Sequence, residues 1–245
     1  MLVLFTDFGL QGPYVGQIKS VLRQLSPLCP VIDLMHDAPA FNPKASAYLL
    51  ASLIDDFPAG SIFIAVIDPG VGTDLRLPCI VKADGRWFVG PGNGLFYAVI
   101  NQATQVEAMY IQWRPENLSS SFHGRDLFAP VAAMLANGVM PESEDYSIKI
   151  DREKWPDELA EIIYIDNFGN AMTGIRASSV NISDCIRIAG QELCYQTTFA
   201  NAEIGQAFWY INSNNMVELA VNQGSAKERL GLRIGSGLKI INSPA

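Results

Sequence analysis

The first two-thirds of the chain alternates strand signals with helix signals, and this alternation narrows the architecture more than any other feature. Leu2–Thr6 is a short apolar run that ends in Asp7-Phe8-Gly9. Val15, Ile18, Val21, Leu22 and Leu25 then recur at helical spacing. Residues 30–35 predict a second strand. Asn42-Pro43 reads as a helix start, with Asn as cap and Pro at the first helical position, and alanines and leucines carry that helix to about Ile54. Residues 61–67 form a strongly apolar strand running into Asp68-Pro69-Gly70. Pro78–Ala83 and residues 87–89 flank Asp84-Gly85, a hairpin signal. A short helix is expected over 94–101 and a further strand over 106–110. Asp126 is expected to cap a helix that ends at Gly138. Alternation of this kind predicts an α/β fold around a central, mostly parallel sheet.

The pattern changes after Met140. Residues 140–159 are charged, contain Pro141 and Pro156, and read as a linker. Beyond them helical periodicity fades. Residues 161–166, 171–175, 186–189, 208–211 and 217–221 are short strand candidates separated by Gly, Asn and Ser turns, which predicts a small all-β, barrel-like or sandwich domain. The expected organisation is an N-terminal α/β domain over 1–145, a linker over 146–159 and a smaller C-terminal β domain over 160–245.

Bulk composition excludes several classes. With 245 residues, 49% hydrophobic and 17% charged, the chain is globular and long enough to bury a core. A net charge of −8 counts against a phosphate-backbone footprint, so no nucleic-acid partner is expected. The apolar start lacks a basic flank and is cut short by Asp7, and no stretch is long enough to span a bilayer. A cytoplasmic location is therefore the expectation, with no membrane partner. Cys29, Cys79, Cys185 and Cys194 form no CxxC pair and the chain has two histidines, so a zinc site is disfavoured and free, mostly buried thiols are expected.

Ligands of open α/β sheets sit outside the carboxyl ends of the strands. Three acidic or Gly-rich turns fall there: Thr6-Asp7-Phe8-Gly9, Asp68-Pro69-Gly70-Val71-Gly72-Thr73 and Gly90-Pro91-Gly92-Asn93-Gly94. Glycine lets a backbone approach a ligand closely, and an Asp after the first strand can accept from vicinal hydroxyls. These turns also read as ordinary loops between strand and helix. They match neither GxGxxG nor GxxxxGK[ST], so a phosphate cradle is not supported. His123, in Phe122-His123-Gly124-Arg125-Asp126, stands at a helix start and suits base chemistry, or is a polar loop residue. His36 reads as structural. Asp166-Asn167-Phe168-Gly169-Asn170 and Asn212-Ser213-Asn214-Asn215 are dense in amide and hydroxyl groups, which build turns or line a hydrogen-bonding pocket. Phe199, Phe208, Trp209 and Tyr210 are core residues by default, and one of them can stack on a planar base.

Taken together and in order, these segments resemble the S-adenosylmethionine (SAM) hydrolase family, also called the SAM hydroxide adenosyltransferases, relatives of the bacterial fluorinase and chlorinase. The resemblance runs through Thr6-Asp7-Phe8-Gly9, Tyr14-Val15-Gly16, the stretch from Val66 to Thr73, Val89-Gly90-Pro91 with Asn93-Gly94-Leu95, Phe122 to Asp126, Asp166 with Phe168-Gly169-Asn170, Asn212-Ser213, and Glu218 to Asn222. It implies cleavage of SAM by water at the ribose 5′ carbon, giving adenosine and methionine. It also implies a homotrimer whose sites lie between one subunit's N-terminal domain and its neighbour's C-terminal domain, with SAM as substrate and no metal or other cofactor. Residue by residue, it places Asp7 on the ribose hydroxyls, and Asp68 and His123 in an Asp-Arg-His set that activates water. Asp166 falls on the methionine amine and Ser213 on its carboxylate. Asn170 and the backbone near Gln223 fall on the adenine edge, and Phe199 stacks on the base.

Two departures from the pattern matter. Leu75 stands where the family carries the arginine of that set, and Arg76 follows it; either Arg76 takes the role, or the chain is an impaired SAM- or adenosine-binding protein. Gly12 and Gly92 stand where aspartates are common. Asp68 and His123 favour water over halide, and Gly124 falls where the fluorinase has a halide-binding serine, which further counts against fluoride; a chlorinase-like halogenase is the weaker reading.

Overall fold

Strand β1 (Leu2–Thr6) is buried along its whole length, so both of its faces need cover. The computed structural model, which describes residues 1–73 and 76–242, provides that cover with helices. The chain separates into two compact units, Met1–Asp151 and Arg152–Ala245.

In the first unit β1 leads into α1 (Tyr14–Leu25), β2 (Val31–Met35), α2 (Pro43–Leu53), β3 (Ile62–Val66), β4 (Pro78–Ala83), β5 (Arg86–Pro91), α3 (Tyr97–Gln102), β6 (Val106–Ile111), α4 (Ala129–Ala136) and β7 (Ser143–Asp145). These strands form one seven-stranded sheet in the order β2-β1-β3-β5-β4-β6-β7. Pairing is parallel from β2 to β5 and antiparallel from β5 to β7. The α/β class stands, and the sheet is mixed. The Asp84-Gly85 turn is the reason: both residues take positive φ (45° and 81°), and they fold β4 back on β5 as a hairpin.

Alternate residues of the central strands divide between two cores. Leu2, Leu4, Ile62, Ile64 and Val66 pack with Ile18 and Leu22 of α1 and with Val131 to Ala133 of α4. Phe63 points the other way and stacks on Phe88, which in turn meets Phe96 at the start of α3. Asn42 caps α2 as expected, its side chain accepting from the Ala45 N–H at 3.0 Å.

Two expectations change here. Asp126 does not cap a helix. It lies inside a π-turn over Gly124–Phe128 that runs on into α4, and its carboxylate holds Arg125 and the Ser119 N–H instead. The stretch 140–159 is not linker throughout, because β7 pairs with β6 at the sheet edge and Tyr146 stacks on Tyr110.

The second unit contains β8 (Leu159–Ile165), β9 (Ala171–Arg176), β10 (Cys185–Ile188), β11 (Gln191–Leu193), β12 (Ala207–Ile211), β13 (Met216–Val221), α5 (Ala226–Leu230) and β14 (Lys239–Ile241). A four-stranded sheet, β12-β13-β9-β8, and a three-stranded one, β11-β10-β14, are joined at both edges. Tyr195, just past β11, bridges Trp209 of β12, and Gly237, just before β14, bridges Glu161 of β8. The two seams close the sheets into the barrel-like arrangement expected. Trp209, Val217, Leu219 and Ile186 fill the interior, while Phe208 and Ala220 form a smaller cluster on the outer face. β11, β14 and α5 were not foreseen; each is three to five residues long, too short to show a period. The four cysteines are free thiols, but only Cys79 is buried and Cys194 is exposed, so the expectation of mostly buried thiols does not hold.

Candidate active site

The first unit places its chemistry where the sheet reverses direction of growth. The chain runs from β1 outward to β2 and then crosses back to β3 on the other side of β1, and the crevice between the carboxyl ends of β1 and β3 is the position such sheets use for ligands. Thr6 and Val66 are register partners there, so Asp7, the next residue of one strand end, and Asp68, two residues past the other, emerge at the same edge of the sheet. Both line a cleft of 670 Å³ together with Phe8, Tyr14, Phe41, Phe122 and His123. Burial pushes the Asp7 carboxyl up from the usual carboxylate range. The N–H of Phe41, donating at 3.1 Å, draws it part of the way back, and Asp68 adds a like charge. His36 lies outside this cleft. It is buried and bonded to the Thr6 hydroxyl at 2.8 Å, a structural role.

Asp68 and His123 also face a second cavity of 290 Å³, lined by Gly70, Arg76, Arg114 and Ser120. Asp68 accepts from the Gly70 N–H at 3.2 Å, and Arg76 Nη1 lies 3.5 Å from Asp68 Oδ1. The guanidinium rests directly over Gly70, where an added Cβ would come within 2.9 Å of Arg76 Cζ. Arg76 Nη1 is buried and makes no hydrogen bond. Its one charged partner among the described residues is the Asp68 carboxylate at ion-pair distance, which leaves its N–H donors available to a further oxygen. The structure thus brings Asp68, Arg76 and His123 to one cavity. Leu75 lies outside the described residues.

Two departures noted in the sequence have steric counterparts. A Cβ at Gly92 would stand 2.5 Å from the Leu77 carbonyl oxygen, and Gly12 has φ +105°, so neither site accepts an aspartate without backbone movement. Gly124 is hemmed in by Phe8, Ile18 and Phe122, each 3.2–3.4 Å from a would-be Cβ. Arg125 is spent on Asp126, with paired bonds of 2.6 and 2.9 Å, and that bond holds the Asp126 carboxyl below its usual range.

The second unit carries its own polar face. Asp166 Oδ1 accepts from the N–H groups of Phe168 and Asn170 at 2.9 and 2.8 Å, and Oδ2 accepts from Asn170 Nδ2 at 2.9 Å. The turn is closed by Gly169 at φ +83°, where Ser225 Oγ would stand 2.1 Å from any Cβ. This fixes the Asn170 amide with its Oδ1 buried and unpartnered, an acceptor ready for a ligand N–H. Phe199 sits half-buried in a short 3-10 turn, edge-on to Phe208 and Tyr210. Ser213 is exposed in the turn between β12 and β13. Gln223 is exposed in a tight turn at φ 54° that leads to α5.

Two residues of these sites escaped the sequence reading. Phe41 is 77% exposed at φ 57°, an unfavourable conformation for an aromatic residue, and it lines the Asp7 cleft. The available signal was its place before the Asn42 cap, where an apolar residue ordinarily packs down on the helix. The other is Glu218, buried on the outer face of β13. Its Oε2 accepts from Tyr210 Oη at 3.0 Å and Asn212 Nδ2 at 2.8 Å. Asn212 Oδ1 in turn accepts from the N–H groups of Asn214 and Met216, so Glu218 anchors the turn that displays Ser213. Burial raises the Glu218 carboxyl against the two bonds that lower it, with Asp166 adding a like charge.

Comparison with known proteins bears on both units. The family described as SAM hydroxide adenosyltransferase N-terminal domain matches residues 2–144, and the corresponding C-terminal domain matches residues 160–239. The chain is 34% identical to an (R)-S-adenosyl-L-methionine hydrolase of Thermus thermophilus, over 96% of this chain and 97% of that protein. It is 26% identical to a fluorinase of Nocardia brasiliensis, over 98% and 96%. Among solved structures, an uncharacterized conserved protein from Thermotoga maritima superposes with a TM-score of 0.84 at 28% identity, covering 99% of this chain and all of that one.

Proposed function

The chain belongs to the SAM hydroxide adenosyltransferase family, and from that premise we infer that it hydrolyses S-adenosylmethionine to adenosine and methionine by attack of water at the ribose 5′ carbon. The sulfonium is already a good leaving group, so the protein has no proton to supply to it. What it must do is hold a water in line with the carbon–sulfur bond and manage that water's proton.

The roles follow from the geometry. Asp7 accepts from the ribose hydroxyls at the floor of its cleft, and Phe41 and Tyr14 wall the sugar. Asp68 and His123 face both that cleft and the neighbouring cavity, so a water held between them is within reach of a sugar carbon and of a base. Arg76 supports the hydroxide-like charge that develops. In the second unit Asn170 Oδ1 accepts from the adenine amine, the backbone near Gln223 meets the same edge and Phe199 stacks on the base. Asp166 takes the methionine ammonium and Ser213 its carboxylate.

The observation that carries the reading is the buried, unbonded Arg76 Nη1 beside Asp68, in a cavity that His123 also faces. It supports Arg76 in the arginine's role in spite of Leu75, and so favours an active enzyme over a silent SAM-binding protein. A halogenase is disfavoured because Asp68 and His123 line one cavity, an acid-base pair that suits water rather than halide, and a Cβ at Gly124 would press on Phe8, Ile18 and Phe122 at 3.2–3.4 Å, which counts against the fluorinase's serine. Included in the proposal is a homotrimer in which one copy's Asp7, Asp68, Arg76 and His123 act with a neighbouring copy's Asp166 and Asn170; the family resemblance supports it. A reducing, cytoplasmic setting is proposed as well, and it suits four unbridged thiols. SAM is the substrate in this proposal, which includes no cofactor.

The test is turnover against binding. Asp68→Asn and His123→Ala are expected to lower kcat by roughly 10²–10⁴-fold, the usual worth of a positioned base, while calorimetric affinity for SAM stays within a few-fold. Unchanged turnover in both variants would contradict the assignment.

A further inference from the structure

Cys185 opens β10 and Cys194 follows β11. The two strands pair antiparallel, with Ile186 opposite Leu193, Arg187 opposite Glu192 and Ile188 opposite Gln191. Extending that register by one residue sets Cys185 and Cys194 directly across from each other. Their sulfurs stand 3.6 Å apart. Cross-strand neighbours have Cβ atoms roughly 4.5–5.5 Å apart and a disulfide takes roughly 3.5–4.5 Å, so side-chain rotation with a small approach of the two strands closes the bond.

We propose that Cys185 and Cys194 are a reversible thiol–disulfide pair, a modification site for low-molecular-weight disulfides of the glutathione type. The chemistry separates this pair from the other two cysteines. Cys194 is exposed and open to a reagent. Cys79 is buried with its thiol pushed up to about 12, and Cys29 has no thiol partner among the described residues. Cys194 is the more exposed of the two, so it is the first to react and the partly covered Cys185 is the resolving group. The Cys194 thiolate attacks one sulfur of the small disulfide and releases one small thiol, leaving a mixed disulfide. The Cys185 thiol then gives up its proton and attacks Cys194 Sγ, releasing the second small thiol. Two protein thiols are oxidised and one small disulfide is reduced to two thiols.

The bond would lie on the barrel seam. The Cys194 carbonyl accepts from the Trp209 N–H at 3.1 Å, and Tyr195, its neighbour, makes the bridge to Trp209 that starts the segment leading to Phe199. Oxidation therefore staples one end of the segment on which Phe199 is carried.

Reduced protein, freed of reductant, is incubated with oxidised glutathione, quenched with an alkylating agent after unfolding and mapped by mass spectrometry. The expected result is loss of two hydrogens, with Cys185 and Cys194 protected from alkylation, Cys29 and Cys79 alkylated, and full reversal by a thiol reductant. Cys185→Ser is expected to stop at a glutathione adduct on Cys194. A wild-type protein that also stops at that adduct, or one in which both thiols stay alkylatable under conditions where the Cys185→Ser variant is modified, would overturn the proposal; so would a Cys194 that reacts in neither protein.

Discussion

At the scale of single residues, the Asp68–Arg76 contact is the most informative test. Gly70→Ala places a methyl group 2.9 Å from Arg76 Cζ, and the atom it meets is the far end of a flexible side chain, so the fold is spared and the guanidinium is displaced. The variant is expected to melt within a degree or two of the parent and to lose at least tenfold in kcat, with SAM affinity nearly unchanged. Leu75→Arg is expected to add little to the rate, because Arg76 already stands at Asp68; a large gain there would mean that Arg76 is not the working cation. Glu218 gives a pH prediction. Its folded carboxyl is raised above the usual 4.5, so its contribution to stability is present below that value and is lost as pH rises through the folded value. Glu218→Gln keeps an acceptor for Tyr210 and Asn212 and escapes that loss, so chemical denaturation should show the difference moving in the variant's favour above pH 4.5. Glu218→Ala leaves both donors unpaired and should cost about 1–3 kcal/mol for each. The residues proposed to touch ligand stood out in the sequence because ordered motifs marked them. Glu218 sat inside one of those motifs, yet nothing in one dimension shows that its carboxylate turns toward Tyr210 and Asn212.

At the scale of elements, local chemistry and local structure agree wherever a short-range rule operates. Asn42 at the cap of α2 is one case, and Asn42→Ala should lower stability by about 0.5–2 kcal/mol, measurable by denaturant titration. The Asp84-Gly85 hairpin is another. The rule failed at Asp126, a residue of capping type in a capping position. The Arg125 guanidinium and the Ser119 N–H claim its carboxylate, and the chain widens into a π-turn that carries His123 at its start. Such a turn costs helix hydrogen bonding and is found at functional sites more often than elsewhere. Tertiary contacts decide it, which is why the sequence could not show it. The same holds for β11, β14 and the edge strand β7, whose three residues each make sense only beside their partners.

For the whole molecule, the fold class followed from alternation, and the halves of the sheet did not. Parallel pairing ends where a two-residue turn intervenes, a detail that redirects three strands without changing class. Barrel closure in the second unit depends on single bridges at Tyr195 and Gly237, below the resolution of any pattern. The proposed assembly is open to sedimentation equilibrium, where three chain masses are expected and a monomer at working concentration would contradict it. The central claim, that water cleaves the adenosyl carbon–sulfur bond, is tested most directly by incubating the purified protein with SAM in ¹⁸O-labelled water at high chloride and analysing the products by mass spectrometry. Adenosine and methionine in equal amounts, with one labelled oxygen at the ribose 5′ position, are expected. Intact SAM, 5′-chloroadenosine, or adenosine without label would contradict it.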